Sequence, residues 1–198
     1  MDRPSTYIHG MSEAAHLPRM TADEFIVWAM EQPRGRFELV EGEVVAMAPE
    51  RLIHAEVKGM FFRRLAEEIE RLGLNCSAFP DGVTVRIDDT TLYEPDALLR
   101  CGPRLPGNTV QVTDPLAIVE VRSRSTQALD AGIKLVDYFR LPSLRHYLIV
   151  RAEERAVIHH ERRGEGDEIA TRIIRDGGPV MLDPPGIVLR DLFPARRS

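Results

Sequence analysis

The stretch Leu116-Ala-Ile-Val-Glu-Val121 limits what this chain can fold into more than any other. A strand with one face in water alternates apolar and polar residues, whereas a nearly continuous apolar run belongs to a central strand covered on both faces. A fold built around it needs layers above and below, and the flanking patterns provide them. Over residues 52–72, Val57, Phe61, Leu65, Ile69 and Leu72 recur on one helical face, and Gly73 follows as a left-handed stop. Opposite that stripe, Arg63–Glu67, Arg64–Glu68 and Glu67–Arg71 have the spacing of solvated i,i+4 pairs.

The remaining elements follow from local signals. Thr21-Ala-Asp-Glu24 is a capping box with Met20 and Phe25 as its hydrophobic staple, and opens a short helix that closes near Pro33. Residues 37–47 alternate around Glu41-Gly42 as a β-hairpin. Short strands are expected at 83–87 and 97–100, with a Pro/Gly-bearing loop over 102–114. Ser125 or Thr126 can cap a helix whose Leu129, Ile133, Val136 and Phe139 form the expected inward face, ending before Pro142. A buried strand at 146–150 precedes an outer hairpin at 156–161 and 169–174. Residues 1–19 have no periodicity and read as a flexible N-terminal arm, and 20–198 reads as a single α/β domain without repeat or linker.

Composition narrows the function classes. A 198-residue chain, 43% hydrophobic and 29% charged, can bury a core without disulfide or metal staples. No apolar run reaches the length of a membrane span, and the first ten residues lack a secretory pattern. Cys76 and Cys101 have neither CxxC nor metal-ligand spacing, so a reducing, cytoplasmic setting is expected. The net charge of −5 argues against a protein that coats nucleic acid without selectivity, but not against a local basic groove. Of 26 basic residues only Lys58 and Lys134 are lysines, which makes each a candidate for a place where arginine will not serve.

Glu120 is the one charge inside the central apolar run, and a carboxylate buried without a partner costs several kcal/mol. Either it reaches water at the strand end or something compensates it. Pro95-Asp96, opening the preceding strand, can bring a second carboxylate to an adjacent strand end. Two carboxylates with no His or Cys cluster suit Mg²⁺ or Mn²⁺ rather than zinc. Asp130, Lys134 and Tyr138 share a helix face. Lys134 there is either half of an exposed ion pair with Asp130 or a cation aimed over the strand ends at a phosphate. Arg122 and Arg124 are candidates for DNA phosphate contacts. His159-His160 reads as surface, and no Gly-rich phosphate loop, GxSxG or Cys–His pair is present.

In order and spacing these motifs resemble the bacterial Uma-two family, within the PD-(D/E)XK nuclease superfamily. The resemblance runs through Phe37-Glu-Leu-Val-Glu-Gly-Glu43, His54, Pro95-Asp96, Glu120-Val-Arg-Ser-Arg-Ser-Thr126, Asp130, Lys134, Tyr138 and His146-Tyr-Leu-Ile-Val150. It implies a restriction-endonuclease-like core: a mixed central sheet flanked by helices, with an N-terminal helix and hairpin and an outer C-terminal hairpin. It implies Asp96 and Glu120 as metal ligands, the Val121 carbonyl as a third, Glu38 as a residue within reach of the metal, and His54 as a phosphate contact or a structural histidine. The superfamily's strand lysine is replaced by Arg122, which makes Lys134 the candidate substitute and Arg122 a phosphate clamp. The activity implied is Mg²⁺- or Mn²⁺-dependent hydrolysis of phosphodiester bonds in DNA. The alternative is a nucleic-acid-binding module that kept the fold and lost the chemistry. The family also allows a homodimer.

Overall fold

The computed structural model describes residues 18–122, 128–164 and 166–195, and of residues 128–131 the backbone alone. The arm expected over 1–19 therefore lies outside the described residues, save for Pro18 and Arg19. Helix α1 (Ala22–Glu31) starts as its sequence dictates: the Thr21 hydroxyl accepts from the Glu24 amide, and the Glu24 carboxylate accepts from the Thr21 amide at 2.8 Å. Strands β1 (Phe37–Val40) and β2 (Glu43–Ala46) form the hairpin. Its turn places Glu41 at φ 49° and Gly42 at φ 83°, the two successive positive values that a tight hairpin needs. Helix α2 (Leu52–Leu72) stops at Gly73, which is left-handed.

Then come β3 (Cys76–Pro80), β4 (Thr84–Arg86), β5 (Leu92–Tyr93), β6 (Ala97–Cys101), β7 (Gln111–Val112) and β8 (Ala117–Arg122). After α3 (Ala128–Tyr138) follow β9 (His146–Arg151), β10 (Ala156–Arg162), β11 (Ile169–Arg175), β12 (Val180–Leu182) and β13 (Ile187–Leu189). A six-stranded sheet runs in the order β11-β10-β9-β8-β6-β3, with β8 and β9 parallel and the other pairs antiparallel. A five-stranded sheet runs β2-β1-β5-β4-β7, and β12-β13 is a separate hairpin. The short strands β3, β5, β7, β12 and β13 have no sequence signal strong enough to announce them; β7 lies inside the expected 102–114 loop.

The central strand is covered on both faces, all six of its residues being buried. On one side Val57, Phe61 and Leu65 of α2, with β12 and β13, pack on Ala97, Leu99, Ala117 and Val119. On the other, Leu98 and Ile118 meet Tyr138 of α3 together with Val85 and Tyr93 of the five-stranded sheet. Helix α1 seals that second sheet through Ala22 and Phe25 against Leu39 and Leu92. Phe61 is fully buried, so Phe61→Ala is expected to cost about 3–5 kcal/mol in urea unfolding. A loss below about 1 kcal/mol would show that α2 does not anchor the core.

Two expectations are corrected here. Cys76 and Cys101 face each other in the β3–β6 register and are joined as a disulfide, a pairing that a separation of 25 residues hides until the strands are aligned. The cysteines therefore no longer argue for a reducing compartment. His159 is not a surface residue: it is 1% exposed, its Nε2 lies 3.0 Å from His146 Nδ1, and burial holds it down at about 3, so it stays neutral. Among the described residues no helix is long and apolar enough to cross a membrane.

Candidate active site

Strand pairing creates the site. In the antiparallel β6–β8 register Ala97 faces Val119, which sets Asp96, one step outside β6, beside Glu120. Pro95 keeps the approach extended, the Asp96 amide donates to the Val119 carbonyl at 3.0 Å, and the Asp96 carboxylate accepts from the Val121 amide at 2.6 Å. From the five-stranded sheet β1 brings Glu38, whose carboxylate accepts from the Glu94 amide at 2.9 Å. Glu38, Asp96 and Glu120 are 8%, 6% and 6% exposed, so three carboxylates enter the interior from sequence positions far apart.

Each meets cations or hydroxyls. Lys134 Nζ lies 2.7 Å from Glu38 Oε1 and 3.3 Å from Glu120 Oε1, and 4.7 Å above the Tyr93 ring. Arg122 Nη2 is 3.3 Å from Glu120 Oε2, and the Tyr138 hydroxyl donates to Glu120 Oε1 at 2.8 Å. Lys58 Nζ is 2.7 Å from Asp96 Oδ1, 2.5 Å from Glu50 Oε2 and 3.8 Å from Asp81. Burial, reinforced by Glu120 and opposed by Lys58, pushes Asp96 up to about 6, and Glu38 is raised mainly by burial. Burial alone would lower Lys134, but Glu120 and Glu38 outweigh it and hold the ammonium above the ordinary lysine value. Lys134 is therefore a permanent charge at neutral pH. Burial and the same carboxylates hold Tyr138 well above the ordinary phenol value, so its hydroxyl remains a donor.

Helix α3 is rotated from the expected face: Phe139 packs in the core as expected, but two other residues of that face do not. Ile133 and Val136, expected inward, are 47% and 67% exposed, whereas Lys134 and Tyr138 are 4% and 0% exposed. The buried face is polar because each polar group on it finds a partner on β1 or β8, which removes most of the desolvation cost. This burial also rules out the exposed-ion-pair reading of Lys134. The side chain of Asp130 lies outside the described residues, as does Arg124.

Asp96, Glu120, Val121, Glu38, Lys134 and Arg122 converge on a single cleft of about 520 Å³, which residues 45–51 also wall. His54 also borders it, and its Nε2 lies 3.1 Å from Glu153 Oε1. Three residues absent from the expected set belong here: Lys58, Glu50 and Tyr138. The scarcity of lysine was a usable signal for Lys58, because the chain's two lysines both pair with site carboxylates. No local signal marks Glu50.

Among the described residues no group of three or more His, Cys, Asp or Glu side chains is placed to enclose a metal ion. A hard divalent ion needs less: one or two carboxylates and a carbonyl, with the rest left to water and substrate. Asp96 and Glu120 meet that requirement with oxygen donors alone, both carboxylates being buried side by side.

The chain is similar to known proteins over most of its length. The family model described as "Uma2: Putative restriction endonuclease" matches residues 22–190. The chain is 27% identical over 157 residues to the uncharacterized protein slr1290 of Synechocystis sp., covering 79% of this chain and 81% of that one. It is 22% identical over 162 residues to the uncharacterized protein sll1609 of the same organism, covering 81% and 91%. A crystal structure described as a putative nuclease belonging to DUF820, from Anabaena variabilis, superposes with a TM-score of 0.70 at 14% identity, over 88% of this chain and 97% of that chain. That likeness is one of fold, and the fold is restriction-endonuclease-like.

Proposed function

Because the chain belongs to the Uma2 family, we propose that it is a Mg²⁺- or Mn²⁺-dependent endonuclease that hydrolyses phosphodiester bonds in DNA. The observation that carries this reading is the side-by-side approach of Asp96 and Glu120 at neighbouring strand ends, with the buried Lys134 ammonium on Glu120. Asp96 and Glu120 would hold the ion, with the Val121 carbonyl as a third donor and Glu38 at the margin. Such an ion supplies Lewis acidity, which makes water a nucleophile near neutral pH and polarises a phosphoryl oxygen.

The protein's own groups do the rest. Lys134, itself buried, stabilises charge developing on the phosphate. Glu38 holds Lys134 from behind, and Tyr138 keeps Glu120 in one rotamer by donating to it. Arg122 offers a guanidinium fork to a phosphate oxygen, the contact its planar geometry favours.

The test is cleavage of single-stranded, duplex and branched DNA in a titration with Mg²⁺ and with Mn²⁺. Cleavage that stops on chelation is expected. DNA binding without turnover in either metal would favour the binding-module alternative. An acidic chain can touch DNA only through a confined patch, so about three or four phosphate contacts are expected, with log K falling against log salt at roughly −3 to −4. No binding at low salt would overturn a nucleic-acid substrate.

A further inference from the structure

Lys58 comes from the second turn of α2, next to Val57, whose full burial fixes where the lysine stem emerges. Its ammonium is not committed to a single partner. Asp96 is at 2.7 Å on the inner side, and Glu50 at 2.5 Å and Asp81 at 3.8 Å lie on the outer side. The outer carboxylates are about one third exposed, whereas Asp96 is buried. Lys134 differs in this respect, since both its carboxylate partners, Glu38 and Glu120, belong to the buried cluster.

The charge balance gives this arrangement a consequence. Lys58 already bridges the buried Asp96 and the more exposed Glu50, so a divalent ion arriving at Asp96 would set two further positive charges directly beside the ammonium. A nearby cation must give way, and only one that keeps a partner can do so without paying a large desolvation cost. Lys58 meets that condition through Glu50 and Asp81. Resting on the metal-dependent reading above, we propose that Lys58 is the exchange counterion of this site: its ammonium holds Asp96 in the metal-free protein and passes to Glu50 and Asp81 when a divalent cation takes the Asp96 carboxylate.

This also accounts for a lysine in a chain where 24 of the 26 basic residues are arginine. An ammonium is a point charge on a flexible stem and can change partners by rotation about its terminal bonds. A guanidinium would grip Asp96 with two parallel hydrogen bonds and resist displacement. Glu50 lies in the segment that walls the cleft, so the exchange would tighten the Lys58 contact to that wall as the metal binds.

Calorimetric titration of the DNA-free protein with Mn²⁺ tests the proposal without reference to activity. Lys58→Met is expected to bind Mn²⁺ about tenfold more tightly or better, the scale on which one ammonium at this distance alters a carboxylate's affinity for a proton. Glu50→Gln, which removes the nearer outer acceptor, is expected to bind more weakly than the parent, and Lys58→Arg no more tightly than the parent. Opposite signs for Lys58→Met and Glu50→Gln cannot come from a shared folding defect. Equal or weaker Mn²⁺ binding by Lys58→Met, with binding lost in Asp96→Asn, overturns the counterion role and leaves the metal site standing. An unchanged affinity in Glu50→Gln overturns the handover. Absence of saturable Mn²⁺ binding in both the parent and Lys58→Met overturns this proposal and the metal-dependent reading together.

Discussion

Asp96→Asn is expected to lower DNA cleavage on the order of 10³-fold and to abolish Mn²⁺ binding, while making the metal-free protein more stable at neutral pH. The two effects have one cause. Burial and the neighbouring Glu120 raise Asp96 to about 6, well above an ordinary aspartate, so its ionised form is disfavoured in the folded protein. Between the ordinary carboxylate value and about 6 the folded state binds more protons than the unfolded one. Stability contributed by the protonated group is therefore complete below that interval and is lost as pH rises through about 6.

Asparagine keeps an oxygen for the Val121 amide but cannot ionise, so the variant should lose that slope and gain about 1–3 kcal/mol above pH 6. Urea unfolding from pH 4 to 8 without metal, beside a calorimetric titration with Mn²⁺, reads both effects. A variant that keeps the parent's pH slope and its Mn²⁺ affinity would remove Asp96 from the site. Glu120→Gln should match the loss of cleavage, because Glu120 is the carboxylate on which Lys134, Arg122 and Tyr138 all converge.

Lys134→Ala is expected to slow single-turnover cleavage by on the order of 10²-fold, the usual cost of losing one preorganised electrostatic stabiliser. Lys134→Arg should be nearly as damaging. The ammonium is boxed between Glu38 and Glu120 under the Tyr93 ring, and a planar guanidinium would have to displace one of the three. Removing the charge also leaves the buried Glu38 without its ammonium, at a cost of about 3–5 kcal/mol in stability, while Glu120 keeps Arg122 and Tyr138. Rates should therefore be compared under conditions where circular dichroism finds both variants folded. Arg122→Lys, which keeps a positive charge at that strand position, should be tolerated or raise the rate. A fully active Lys134→Ala would take that residue out of the mechanism and leave Arg122 as the cation that acts.

Local physics was legible in the linear sequence. The capping box at Thr21 and Glu24, the positive-φ pair Glu41-Gly42, the α2 stripe with its Gly73 stop and the apolar β8 run each depend on residues within a few positions of one another. The sequence alone was enough to mark Glu120 as a charge needing compensation, Asp96 as its companion, and lysine as unusually scarce. What only the tertiary structure decided is which distant groups supply that compensation. Glu38 reaches Lys134 across 96 positions, and the turn of α3 toward its polar face follows from that meeting, against the helix's own hydrophobic pattern. Likewise Lys58 of α2 meets Asp96, Cys76 meets Cys101 across β3 and β6, and His159 meets His146 across β10 and β9 only once these elements are packed and in register. Periodicity reports which face of an element is apolar. It cannot report that a polar face will be buried, because that depends on opposite charges arriving from elsewhere in the fold.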